Sequence, residues 1–143
     1  MKKILIILSL TLFSLSGFGQ IIGDTIIKNN ASKLRLKVLY FHITNRCNTC
    51  TLIETTLRKT IFENFKNEVD SGVIDLYIMN CELPQNKDMV TKYEAYGATL
   101  AITPYNGGKE LKTEDLTNFA FQKVHKQEMF ISELKEKIQK LIK

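Results

Sequence analysis

The chain has 143 residues, 44% of them apolar, with 20 Lys+Arg against 15 Asp+Glu, three Cys and two Pro. That length holds one domain, or one domain and an appendage, and the apolar share is that of a globular core and not of a disordered chain. The evenly spread polar residues exclude a multi-span membrane protein, three unevenly spaced cysteines are too few for a disulfide-dense scaffold, and basic residues interleaved with acids, as in FKNEVD, lack the concentrated basic face of a nucleic-acid-binding protein.

Lys2 and Lys3 open the chain, and residues 4–15 then read ILIILSLTLFSL without a charge. Gly17-Phe18-Gly19 follows, with small residues where a signal peptidase inspects. This layout predicts a secretory signal peptide over residues 1–19. The apolar run falls short of the roughly 20 residues that span a bilayer, and an uncleaved anchor is the alternative. No Cys follows the run, which disfavours a lipid-anchored lipoprotein. Cleavage after Gly19 would leave a periplasmic or secreted protein with no stable membrane insertion. It would also remove two lysines, lowering the formal net charge of +5 by two, a mild excess that suits solubility and not a nucleic-acid partner.

Residues 20–33 read as a polar, loosely held lead-in to a domain over 34–143. Residues 34–43, LRLKVLYFHI, are rich in Val, Leu, Tyr, Phe and Ile and predict a strand. After Thr44-Asn45-Arg46 the period changes. Ile53, Leu57, Ile61 and Phe65 recur every four residues, with Glu54, Arg58, Lys59 and Glu63 between them, so an amphipathic helix is predicted from Cys47. Residues 73–79 are a second strand. Pro84 suits a first helical turn, residues 85–96 a helix, and Gly97 its stop. Residues 98–102 are a short strand, Asn106-Gly107-Gly108 a turn, and residues 109–111 the returning arm of a hairpin. From Glu114 the chain reads as helical to its end, with a break between 121 and 127. Strand–helix–strand units imply parallel pairing with a helical crossover, and the hairpin adds an antiparallel edge. The predicted fold is a three-layer α/β sandwich with helices on both faces of a mixed sheet.

Cys47 and Cys50 form Cys-Asn-Thr-Cys where the first strand gives way to the first helix. That spacing lets both sulfurs reach bonding distance without unwinding the helix. Cys47 would lie over unpaired N–H groups at the positive end of the helix dipole, with Arg46 as an adjacent cation, all of which favour a thiolate. An ordinary thiol, with a pKa of about 8.5, is only a few per cent ionised at pH 7; a fall to about 7 makes it half ionised. Cys47 is therefore the expected nucleophile, and Cys50, one turn inside, the more buried resolving thiol.

The order of strand, Cys-x-x-Cys, helix, strand, helix, strand, hairpin and helix resembles the thioredoxin-like superfamily over roughly residues 34–143. The run Tyr40-Phe41-His42-Ile43-Thr44-Asn45-Arg46-Cys47-Asn48-Thr49-Cys50 is similar to an exported bacterial subgroup with a YFH…RC-x-x-C signature, as are Asn80, Pro84 and Asn86. The resemblance implies a thiol–disulfide oxidoreductase acting on protein thiols and disulfides, with an unidentified redox partner and no cofactor. Asn48-Thr49 replaces the Gly-Pro or Pro-His pair of familiar members. The family's cis-proline place falls near Ala98 and Thr99, where no proline stands, and Pro104 comes after the predicted strand. The family's buried acid is replaced by Phe41, leaving His42 as a candidate proton acceptor. Arg46, His42 and Thr99 are accordingly the accessory site candidates.

Three other readings compete. The pair could be a structural staple in a non-catalytic, partner-binding module of the cell envelope, although so small a loop removes little unfolded-state entropy. Cys47, Cys50, Cys81 and one His could bind metal, but no second Cys-x-x-Cys or His pair supports a site, and none is expected. Cys81, after apolar Ile78 and Met79, reads as a small core residue, or else as a relay thiol. His125, among Lys123, Lys126 and Gln127, reads as a solvated face residue, and Asp75 as strand surface.

Overall fold

The computed structural model describes residues 23–29 and 31–143. The signal-peptide reading of residues 1–19 lies outside them. Among the described residues no helix is long and apolar enough to cross a membrane.

Three long strands build the centre: β2 (Leu36–His42), β3 (Ile74–Asn80) and β4 (Thr99–Asn106). β2 runs parallel to β3 and antiparallel to β4. Period-two alternation sends Leu36, Val38, Tyr40, Ile74, Leu76, Ile78, Leu100 and Ile102 into one core, and Leu39, Phe41, Tyr77 and Met79 into a second on the opposite face. Burial on both faces explains why the segments around 34–43 and 73–79 read as nearly continuous apolar runs.

The first face is covered by α1 (Asn48–Asn64), α2 (Lys66–Asp70), α4 (Thr117–Lys123) and α5 (Gln127–Leu141). The four-residue stripe of α1 is fully used: Ile53, Leu57 and Ile61 are 0% exposed and Phe65 is 2%. Each such side chain stabilises the fold by about 1.5–3 kcal/mol relative to exposure. Phe65 leaves helical geometry at φ −135° and ψ 20°, so the apolar stripe outlasts the helix. The second face takes α3 (Lys87–Tyr93), entered through a 3₁₀ turn, Pro84–Asn86. The helices therefore lie on both faces of a mixed sheet.

Four expectations are corrected. The lead-in contains β1 (Thr25–Ile27), which pairs antiparallel with the outer edge of β3. The helix expected from Glu114 starts at Thr117, because Glu114–Asp115 forms β6 against Ala101 and Ile102 of β4. Gly97 does not stop α3; Glu94 does, in the left-handed region at φ 51°, and Ala95 then donates to the Val90 carbonyl at 3.0 Å as it turns into the core. Pro104 lies inside β4, opposite Leu36, since that strand continues to Asn106.

The break expected between 121 and 127 falls at Val124–Lys126, between α4 and α5. The hairpin is formed as the Gly pair requires: Gly107 and Gly108 both have positive φ, 56° and 79°, between β4 and β5 (Lys109–Glu110). A two-residue connection with that sign at both positions matches the twist of the strands, and side-chain-bearing residues resist it.

Candidate functional site

The site sits where β2 hands over to α1. Cys47 is the residue before the helix, with extended backbone at φ −73° and ψ 158°. Its Sγ accepts a hydrogen bond from the Cys50 backbone N–H at 3.0 Å, and its carbonyl accepts from the Thr51 N–H at 3.0 Å. The sulfur thus performs the capping that a Ser or Asp oxygen performs elsewhere, against donors that have no partner within the helix. Cys47 and Cys50 are joined by a disulfide, with Cα atoms 5.1 Å apart. Cys47 is exposed and Cys50 only 8% exposed.

The strand below holds this turn in place. Tyr40, buried in β2, donates its hydroxyl to the Cys50 carbonyl at 2.8 Å. Burial pushes the Tyr40 phenol well above its usual range, so it remains a donor at any physiological pH. Tyr40→Phe removes that donor and leaves the Cys50 carbonyl with only its place in the α1 ladder. The expected cost is about 1 kcal/mol, read as a lower urea midpoint of the oxidised protein with an unchanged slope.

The accessory candidates fall as follows. Arg46 does not stand free beside the sulfur. Its guanidinium pairs with Glu54 and donates to His42 Nε2. Glu54 also takes Arg58 Nε at 2.8 Å, and Arg58 reaches Thr25 of β1 at 2.8 Å. Glu54, expected on the charged face of α1, is instead 9% exposed, because two guanidinium groups cover its carboxylate.

His42 is 3% exposed. Its Nδ1 lies 3.1 Å from the Ile43 carbonyl, which can only accept, so Nδ1 carries the proton and Nε2 accepts from Arg46. Burial, with the Arg46 charge in addition, lowers the pKa of this imidazole. It is held neutral, with its acceptor nitrogen occupied. Thr99 pairs with Phe41 across β2–β4 and donates to the Gly97 carbonyl at 3.2 Å, half-exposed at the start of β4.

The lowered imidazole pKa has a consequence for stability. The unfolded chain, with an ordinary His near 6.5, binds more protons than the folded one below that pH. His42 therefore contributes fully above about pH 6.5, and its contribution is lost as pH falls toward the folded pKa. The urea midpoint should drop on going from neutral to mildly acid solution, and His42→Asn should flatten that part of the profile.

Cys81 is a free thiol following β3, its N–H donating to the His42 carbonyl at 2.8 Å. It packs half-buried against the second core, on the sheet face opposite α1, and burial pushes its thiol pKa up. Among the described residues no three His, Cys, Asp or Glu side chains gather as a metal-ligand set. Asp75, expected at the strand surface, is 5% exposed; it accepts from the Asn29 N–H at 3.1 Å and lies opposite Lys37.

Two features escaped the sequence reading. One is a polar groove of about 890 Å³ beside the pair, lined by Thr44, Arg46, Asn48, Thr51, Glu54 and Arg58 among others. The other is His125, expected on a solvated face, whose Nε2 lies 3.3 Å from the hydroxyl of Thr49, between the two cysteines. No local pattern announces a contact between residues 76 positions apart.

No family model and no curated protein matches the chain. Among solved structures it is similar to one described as "Structure of a malarial protein", at 21% identity over 64% of this chain and 97% of that one, with a TM-score of 0.36. A likeness at that level carries no argument about fold or function.

Proposed function

We propose that this chain is an exported thiol–disulfide oxidoreductase of thioredoxin-like fold, exchanging disulfides with protein substrates through Cys47 and Cys50. One observation carries the reading: an exposed sulfur caps the amino end of a 17-residue helix, bonded to a buried sulfur one turn behind it. The element order, with β2, α1, β3, α3, β4, the hairpin and α5 around the pair, supports the fold assignment. The charged start and short apolar run of residues 1–19 support export.

In the reduced protein the Cys47 thiolate would keep the Cys50 N–H and the helix dipole as its stabilising partners. It attacks a substrate disulfide, forming a Cys47–substrate bond while the departing sulfur leaves as a thiolate. Cys50 then gives its proton to solvent and attacks the Cys47 sulfur. The second substrate sulfur leaves reduced, and the Cys47–Cys50 disulfide is restored. Two electrons pass from the protein pair to the substrate, and the same steps reversed oxidise a substrate dithiol.

The direct test is reduction of insulin disulfides with a small dithiol as the regenerating reductant. Catalysed precipitation of the insulin chains supports the reading; a rate equal to that without protein contradicts it. The specific observation favouring a non-catalytic, partner-binding module with a structural disulfide is that Arg46 and His42 are committed to Glu54 and to each other. Neither is then free to assist the thiolate.

A further inference from the structure

His125 comes from the linker between α4 and α5, far from the pair in sequence, yet it rests on Thr49, in the first turn of α1. We propose that His125 is a positioning residue of the exchange site, whose proton is coupled to the charge on Cys47. The proposal rests on the reading of Cys47 as the attacking thiol.

Thr49 is suited to the role because a hydroxyl both donates and accepts. A neutral imidazole can accept the Thr49 proton at Nε2, and an imidazolium can donate to the same oxygen, so the contact survives titration of the ring. The 3.3 Å separation suits either direction. His125 is exposed, so the ring can exchange protons with solvent. The cysteines flank Thr49, so a charge on the ring would sit beside the Cys-x-x-Cys turn, where exposed charges closer than a screening length of about 10 Å still interact.

The other charges nearby do not duplicate this one. On α4, Lys123 is drawn to Glu133 of α5 at 2.8 Å. Lys126, in the same linker as His125, and Glu128, in the first turn of α5, are both exposed charges of opposite sign. Arg46, just before α1, and Glu54, on it, are paired with each other and line the polar groove. His125 is the histidine in contact with the Cys-x-x-Cys segment itself; His42, the other of the two in the chain, is buried and held by Arg46.

The coupling is reciprocal. A proton on His125 favours the Cys47 thiolate, and the thiolate favours the proton by the same factor. When Cys47 enters a disulfide its charge disappears, and His125 releases its proton more readily. With His125 protonated, Cys47 would then be a more reactive thiol than the helix start alone makes it, and part of that gain would vanish once the ring loses its proton. For an exposed pair the effect is modest, roughly two- to fivefold in Cys47 acidity.

The test uses the full chain carrying Cys50→Ser and Cys81→Ser, so that Cys47 is the lone thiol. Its ionisation is followed by ultraviolet thiolate absorbance and by the rate of alkylation with iodoacetamide, from about pH 5 to about pH 9. With His125 present, the titration should be broadened, with an added thiolate population at the acid end. His125→Gln should give one sharper step, with Cys47 two- to fivefold less acidic. His125→Lys, with a permanent charge, should keep the acidity and lose the broadening. Thr49→Val, which removes the bridging hydroxyl, should move the curve toward that of His125→Gln. Superimposable curves for the parent and His125→Gln overturn the proposal, whether or not the protein reduces insulin. A His125-dependent curve in a protein inert toward insulin would instead remove the oxidoreductase reading and leave the coupling standing.

Discussion

Replacing Cys47 with serine should bring disulfide exchange down to the uncatalysed rate, whereas replacing Cys50 should stop it after one half-reaction. The asymmetry follows from burial. Cys47 is exposed and capped by the Cys50 N–H, so it meets the substrate; Cys50 lies behind it at 8% exposure and reaches only the Cys47 sulfur. Cys50→Ser should therefore accumulate a covalent complex with the substrate, released by reductant and visible as a shifted band on a non-reducing gel. Trapping by Cys47→Ser and not by Cys50→Ser would reverse the assigned roles. Trapping by neither, with activity intact, would place the chemistry elsewhere.

Phe130→Ala should be among the most damaging of the simple core truncations. Phe130 is 0% exposed on α5 and its ring centre lies 5.1 Å from that of Phe119. Removing a buried phenyl ring costs about 3–5 kcal/mol when the surroundings collapse only partly. Against a total stability of about 5–15 kcal/mol, that is enough to lower the melting temperature by roughly 10–20 °C. Phe62, 39% exposed on α1, is the internal control. Phe62→Ala should stay within about 0.5 kcal/mol, as surface changes do. Thermal melts of the two variants under one oxidising buffer check both expectations.

Long elements were legible because their own residues carry the period. The four-residue stripe of α1 and the dense runs of β2 and β3 need no knowledge of a partner. The Asn-Gly-Gly turn was equally readable, since both glycines adopt positive φ. β1, three residues long, and β6, two residues long, have no such signature: each exists because an open strand edge lies beside it. Asp75 and Glu54 misled for a related reason. A charged residue reads as surface until its partners are known, and those partners come from other elements: the Asn29 N–H for Asp75, Arg46 for Glu54.

The cysteine pair was legible as a motif because its meaning is local, a spacing at a helix start. What surrounds it was not. Arg46 reads as a cation for the thiolate when only Cys47 is considered; in the fold its charge is offset by Glu54. His125 reads as solvated because its sequence neighbours are polar, and only the return of α4 and α5 over α1 brings it to Thr49. The accessory chemistry depends on tertiary contacts between residues distant in sequence.

The reduction potential of the Cys47–Cys50 pair tests the central claim most directly. Equilibration in thiol–disulfide buffers of graded composition, with the oxidised fraction read by alkylation and mass, gives it without any substrate. An exchange centre should lie above about −300 mV, within the span of disulfide-handling proteins. A pair that stays oxidised below that value is a structural bond, and the oxidoreductase reading is then contradicted.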